Sequence, residues 1–242
     1  MQTRVSRTLL TSPHFPSQGF FPYNELMQEQ RERLIRQVTR VVEIDYWLYL
    51  PREYARDERR WPLVLFLHGA GERGDVDKAR HHGPAKRIAA GEELPFILVV
   101  PSCPADRWWD PDQIEVLLQE VCATHRIDED RVYCTGLSMG GFGTWATATT
   151  YPQRFAAIAP ICGGGSPYLA SRIKHLPVWT FHGAKDMVVP LHESQRMIDA
   201  LQALGGDARI TIYPQAEHDA WTAAYDDPEL WKWMLGKRRN AK

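Results

Sequence analysis

The sequence predicts an α/β domain built on a mostly parallel central sheet with helices on both faces. Three observations carry that expectation. Seven short apolar runs, several of them closed by glycine or proline, read as strands. Stretches with helical patterning alternate with them. The chain has 242 residues, 44% hydrophobic and 24% charged, enough for one large domain with a real core.

Taken in order, residues 1–40 are poorly patterned and are set aside as an N-terminal extension of unassigned role. A single domain is expected over 41–242. "VVEIDYWLYL" (41–50) reads as a strand that Pro51 ends. "WPLVLFLHG" (61–69) is apolar throughout and ends in glycine, as a strand buried on both faces does. "PFILVVP" (95–101), "RVYCTG" (131–136), "FAAIAPICG" (155–163), "PVWTFHG" (177–183) and "ARITIYP" (208–214) repeat the type. Helices are expected over 112–125, 140–151, 191–204 and 228–235. In such sheets function collects where strands end at their carboxyl side.

Charge excludes some classes of partner. The formal net charge is −1 and the pI is near 6.8, so neither nucleic acid nor a membrane surface is expected as a partner. The short basic run Lys237-Arg238-Arg239 reads as a solvated terminus. Cys103, Cys122, Cys134 and Cys162 show no CxxC or Cys/His ligand spacing, so free thiols and no metal are expected. Free thiols lean towards a reducing compartment. The first twenty residues lack the apolar core of a secretory signal, and no run approaches membrane-spanning length. A cytoplasmic location is the resulting expectation.

"YCTGLSMGGFGTW" (133–145) places four glycines around Ser138, straight after a strand and before a helix. A residue at so sharp a turn takes strained backbone angles, and its side chain stands clear of the sheet. Gly136 and Gly140 remove the collision that side chains two positions either side of the serine would cause. Gly141 and Gly143 are expected to let the helix pack closely on the sheet. The helix start also aims backbone N–H groups at whatever reacts there. The pattern is that of a nucleophile elbow.

A serine hydroxyl needs a base, and the base an orienting acid. On this architecture the expected chain order is serine, acid, histidine. Downstream of Ser138 stand His175, His182, His192 and His218. His218, in "YPQAEHDAW" just past the last strand, is the candidate base. His182 ends a strand but precedes "GAKD", and is read as holding that loop by hydrogen bonds. His175 and His192 read as surface or helix-start residues. Asp186, in the loop after the 177–183 strand, is the candidate acid. Glu217 and Asp219 flank His218 and point away from it, while Glu193 and Asp199 fall in a helical pattern. An oxyanion hole is expected from the N–H of Met139 and from the loop "HGAGERG" (68–74), where Ala70 is the best donor. Losing one such donor typically costs about 10²–10³ in kcat.

Together "LFLHGAGERG", "HHGPAKRIAAG", "VYCTGLSMGGFGTW", "FHGAKDMVVP" and "EHDAWTAAY" resemble the α/β-hydrolase superfamily of serine esterases over about residues 44–236. The nearest branch resembles small carboxylesterases of the phospholipase/carboxylesterase and predicted-peptidase group, related to dienelactone hydrolases. The resemblance implies Ser138 as nucleophile, Asp186 as acid, His218 as base, and Ala70 with Met139 as oxyanion donors. It also implies a small-molecule ester as substrate and no cofactor. One departure matters: dienelactone hydrolases proper carry cysteine at the elbow, and serine points to ordinary esters. Residues 163–177 are too few for a large lid. Trp108 and Trp109 follow a strand end, where either could line the pocket or pack on the core. Arg73, Lys185 and Trp221 lie in the same loops and are further candidates for substrate contact.

Overall fold

The computed structural model describes residues 31–239. The chain divides after Val41. Residues 31–41 form neither helix nor strand, and Leu34, Ile35, Val38 and Val41 are exposed.

The second unit is a seven-stranded sheet. Its strands are β1 (Tyr46–Tyr49), β2 (Trp61–Leu67), β3 (Ile97–Pro101), β4 (Ile127–Leu137), β5 (Ala157–Ile161), β6 (Val178–Gly183) and β7 (Ala208–Tyr213), in the spatial order β1-β3-β2-β4-β5-β6-β7. Only β1 runs antiparallel to its neighbour. β1 is shorter than the 41–50 run because its partner β3 ends at Pro101, opposite Tyr46. β4 begins earlier than expected, since Ile127 pairs with Trp61 across a register shift.

Among the described residues six helices cover the faces: α1 (Gly83–Ala89), α2 (Pro111–Thr124), α3 (Met139–Thr150), α4 (His192–Ala203), α5 (Trp221–Asp226) and α6 (Pro228–Leu235). Four lie within a residue or two of the expected spans, and the short α1 and α5 are additional. Alternation along the strands feeds two cores. Leu63, Leu65 and Leu67 of β2 pack with α2, α3 and α4, and Val64 and Phe66 pack with α1, α5 and α6. Helix starts are chemically marked. Asp110 caps α2 by accepting the Asp112 and Gln113 N–H groups, with Pro111 at the first turn. Asp227 caps α6 in the same way through the Glu229 N–H.

The sheet order positions the site. After β2 the chain crosses to β3 on one side, and after β4 it crosses to β5 on the other. The loops leaving β2 and β4 therefore diverge and leave a crevice at their carboxyl ends. Between β5 and β6 lies one 3-10 helix, Pro167–Ile173, and no inserted lid domain. Among the described residues no helix is long and apolar enough to cross a membrane.

Candidate active site

Ser138 stands between β4 and α3 with φ 53° and ψ −117°. That left-handed φ is costly for a non-glycine residue, by about 1–3 kcal/mol, and persists only where the surroundings enforce it. They do so by close backbone approach. A Cβ on Gly136 would lie 2.5 Å from the Gly140 carbonyl oxygen, and one on Gly140 only 1.9 Å from the Leu67 carbonyl oxygen. The elbow is thus jammed against the end of β2 as well as against itself. Gly141 abuts the Ile161 carbonyl of β5, as expected, whereas Gly143 makes room for the indole of Trp109 and not for the sheet.

The structure brings Ser138, His218 and Asp186 into one hydrogen-bonded line. Ser138 Oγ lies 2.9 Å from His218 Nε2, and His218 Nδ1 lies 2.7 Å from Asp186 Oδ2. The other Asp186 oxygen accepts the N–H groups of Val188 and Val189, each at 2.9 Å. Burial alone would push the Asp186 carboxyl up. The bonds from His218, Val189 and Val188 outweigh it and hold the carboxyl below the usual range. The Ser138 side chain makes no cap to α3 and is turned to the imidazole instead.

The other histidines serve elsewhere. His182 is buried, donates from Nε2 to the Val189 carbonyl at 2.8 Å and sets Nδ1 2.8 Å from Ser194 Oγ, which holds the Asp186 loop. His175 donates to the Pro152 carbonyl, and His192 lies exposed beside Glu193. Asp219, just before α5, accepts the Thr222 N–H and hydroxyl.

Leu67 of β2 pairs with Gly136 of β4. The turn that carries Ala70 and the helix that opens at Met139 therefore leave the sheet from neighbouring strand ends. Ala70 opens a single 3-10 turn, Ala70–Glu72, and Met139 is the first residue of α3, where N–H groups have no partner within the helix.

The tryptophans separate. Trp108 is 60% exposed and meets Phe142, one helical turn beyond Ser138, edge to face at 5.9 Å. Trp109 is a core residue and does not line the pocket. It is buried, its indole N–H donates to the His68 carbonyl at 3.1 Å, and its ring fills the space above Gly143. Trp221 meets the His218 ring edge to face at 5.2 Å and the His82 ring at 5.8 Å. Lys185 is exposed and donates to Gln215. Arg73 is directed at backbone carbonyls, Ala70 at 3.1 Å and Arg107 at 3.3 Å.

Several residues had no role assigned from sequence. His68 Nε2 accepts the Cys103 N–H at 3.0 Å, so its proton sits on Nδ1, 2.7 Å from the Gly69 carbonyl. Glu72 approaches His82 at 3.5 Å. Cys162, itself at φ 48°, donates its S–H to the His218 carbonyl at 3.1 Å. Cys162, His182 and Asp186 also bring one ligand-type atom each within 4.8 Å of one another, a grouping their spacing conceals. Each of the three already has protein partners.

Burial lowers the pKa of both His68 and His182, with nearby carbonyls and carboxylates opposing it. A depressed folded pKa means the unfolded chain binds more protons below the ordinary histidine value of about 6.5. The stability these neutral rings contribute is complete above that value and is lost as pH falls through the folded pKa values. The thermal midpoint should therefore drop when pH is lowered from about 7 to about 5. Scanning calorimetry across that range checks it, and a midpoint flat to pH 5 would overturn the assignment of both rings as buried and neutral.

Sheet order, elbow and crevice define the α/β-hydrolase fold. Solved structures agree: that of a thermostable esterase superposes with a TM-score of 0.72 at 33% identity, covering 82% of this chain and 60% of that one. Residues 111–229, just under half the chain, match the model of the dienelactone hydrolase family. Over those residues the chain is similar to that family, and over its described domain it shares the fold of the thermostable esterase. A poly(3-hydroxyalkanoate) depolymerase C from Paucimonas lemoignei is 35% identical over 124 residues, 44% of this chain and 28% of that protein. A bifunctional acetylxylan esterase/xylanase from Neocallimastix patriciarum is 27% identical over 153 residues, 60% of this chain and 22% of that protein. The match thus spans less than a third of either curated relative.

Proposed function

We propose that this chain is a serine carboxylic ester hydrolase that works through an acyl-enzyme on short-acyl or aromatic esters. The observation that carries the reading is the line Ser138–His218–Asp186 at the carboxyl end of the sheet, built on an elbow held in strain. Ser138 Oγ attacks the ester carbonyl carbon while His218 Nε2 takes its proton. Negative charge gathers on the carbonyl oxygen, where the Met139 and Ala70 N–H groups receive it. As the C–O bond breaks, the alcohol leaves with the proton from His218. Water then attacks the acyl-serine, gives its proton to His218, and the acid departs as Ser138 regains its hydrogen. Asp186 keeps the Nδ1–H tautomer and stabilises the imidazolium formed in each half. The names of the matched relatives, a poly(3-hydroxyalkanoate) depolymerase and a bifunctional acetylxylan esterase/xylanase, support an ester substrate.

Peptide hydrolysis would share these groups but needs a groove that holds several residues in register. The single 3-10 helix between β5 and β6 offers little from which to build one. Purified protein is expected to hydrolyse acetyl and aromatic esters and to cleave matching peptides slower by several powers of ten. Ser138→Ala protein is the blank. Peptide turnover equal to ester turnover, and absent from the blank, would replace this reading with a peptidase.

A further inference from the structure

We propose that Arg73 is a positioning residue that ties the turn bearing the Ala70 amide to the loop bearing Trp108, so that the two move as one. The inference rests on the serine-hydrolase reading above.

The turn itself is slight. Ala70–Glu72 is one 3-10 turn, followed by Arg73 in an extended conformation, and Ala70 is exposed. So short a turn has little of its own to fix the direction of its amides. Hydrogen bonds to the neighbouring loop supply what is missing. At the base of the seam the Gly74 N–H donates to the Cys103 carbonyl at 2.8 Å, and the Cys103 N–H donates to His68 Nε2 at 3.0 Å. The Trp109 indole N–H donates to the His68 carbonyl at 3.1 Å. Arg73 closes the tip, since its Nε–H reaches the Ala70 carbonyl and its Nη1–H reaches the Arg107 carbonyl.

Each end of that bridge matters chemically. Holding the Ala70 carbonyl fixes the plane of the peptide that follows the proposed oxyanion donor. It also directs a carbonyl dipole at the guanidinium, a dipole that would oppose charge growing on the substrate if it faced the crevice. Holding the Arg107 carbonyl fixes the residue just before Trp108, whose ring meets Phe142 one turn beyond Ser138. A substrate group resting on Trp108 therefore bears on the same guanidinium that sets the Ala70 turn. Arginine suits this task because its planar fork offers N–H groups in fixed directions, whereas a lysine ammonium is a single rotating point. Charge stabilisation depends on donors that are already in place, and a misplacement of about 1 Å can cost 10²-fold in rate.

A residue that touches substrate and one that positions the turn differ in what they change. With an acetyl ester and a benzoyl ester as substrates, Arg73→Ala is expected to lower kcat by about tenfold to a hundredfold while KM stays within about threefold. Arg73→Lys should not restore kcat, and free guanidinium ion at millimolar concentration should partly restore it in Arg73→Ala. Trp108→Ala alone should lower kcat on the benzoyl ester, and adding it to Arg73→Ala should cost much less than the sum.

A rise in KM with unchanged kcat would overturn the proposal and return Arg73 to substrate contact. Additive losses would remove the coupling. If Arg73→Ala does not fold, the kcat-against-KM split in Arg73→Lys decides the same point. Wild-type ester turnover undiminished in Ser138→Ala would overturn the catalytic reading and this proposal together. Turnover lost in Ser138→Ala but kept in Arg73→Ala would overturn this proposal alone.

Discussion

Ser138→Ala is expected to remain folded and to lose about three to six powers of ten in ester turnover. The hydroxyl is the attacking group in the proposed reaction, and it stands 2.9 Å from His218 Nε2. Little structural loss should accompany the change, because the Ser138 side chain does not cap α3. The strain at φ 53° is a property of the backbone, so alanine inherits it unchanged. Two measurements check the result together. A fluorophosphonate should add one label to the native protein at Ser138 and none to the variant, and both should melt within a few degrees of each other. Labelling at a cysteine would overturn the assignment. Burial pushes the thiols of Cys134 and Cys162 up to about 12, so neither should compete.

Gly140→Ala is expected to be the most damaging single methyl group in the domain. Its Cβ would sit 1.9 Å from the Leu67 carbonyl oxygen, 2.5 Å from the Leu67 carbonyl carbon and 2.7 Å from the His68 carbonyl oxygen. All three are backbone atoms at the end of a central strand, so no side chain can swing away to relieve the contact. Overpacking of this kind costs about 3 kcal/mol or more, which in a domain of this size lowers the melting temperature by about 6–12 °C. Turnover should fall as well, since moving α3 off β2 moves the Met139 amide with it. Gly71→Ala is the control, because a Cβ there meets nothing within 4 Å. Calorimetry on the pair decides the matter, and equal melting temperatures would show that the elbow is looser than its contacts imply.

What could be read from sequence was what repeats or what is strained. The alternation of strand and helix located all seven strands, most plainly β2, β3 and β5, which are buried and apolar along their whole length. The elbow was legible because glycines at 136 and 140 flank a serine between a strand and a helix, with an acid and a histidine following in the expected order. The α1 and α5 helices were not legible, since seven and six residues are too few to display a helical period. The Trp108-Trp109 pair was ambiguous for another reason. Adjacent side chains leave an extended segment in opposite directions, and nothing local says which direction is inward. The deciding residue lay elsewhere in the chain: Gly143 leaves a slot on α3, and Trp109 fills it. Arg73 was read as a candidate for substrate contact, but its side chain turns to two carbonyls, and backbone acceptors carry no sequence signature.

Ser138 leaves a strand with sheet neighbours on both sides, whereas His218 hangs on the loop beyond β7, the edge strand. The two halves of the proposed proton transfer are therefore exposed very unequally to change over descent. An insertion or substitution in 184–191 or 214–220 that spares Asp186 and His218 can redraw the approach to the imidazole without disturbing a residue of β4. A change near Ser138 must instead be accommodated by β2, β5 and α3 at once. The fold thus separates a part that lineages must keep from parts that they can vary, and new substrates can be reached from the edge of the sheet while its middle stays as it is.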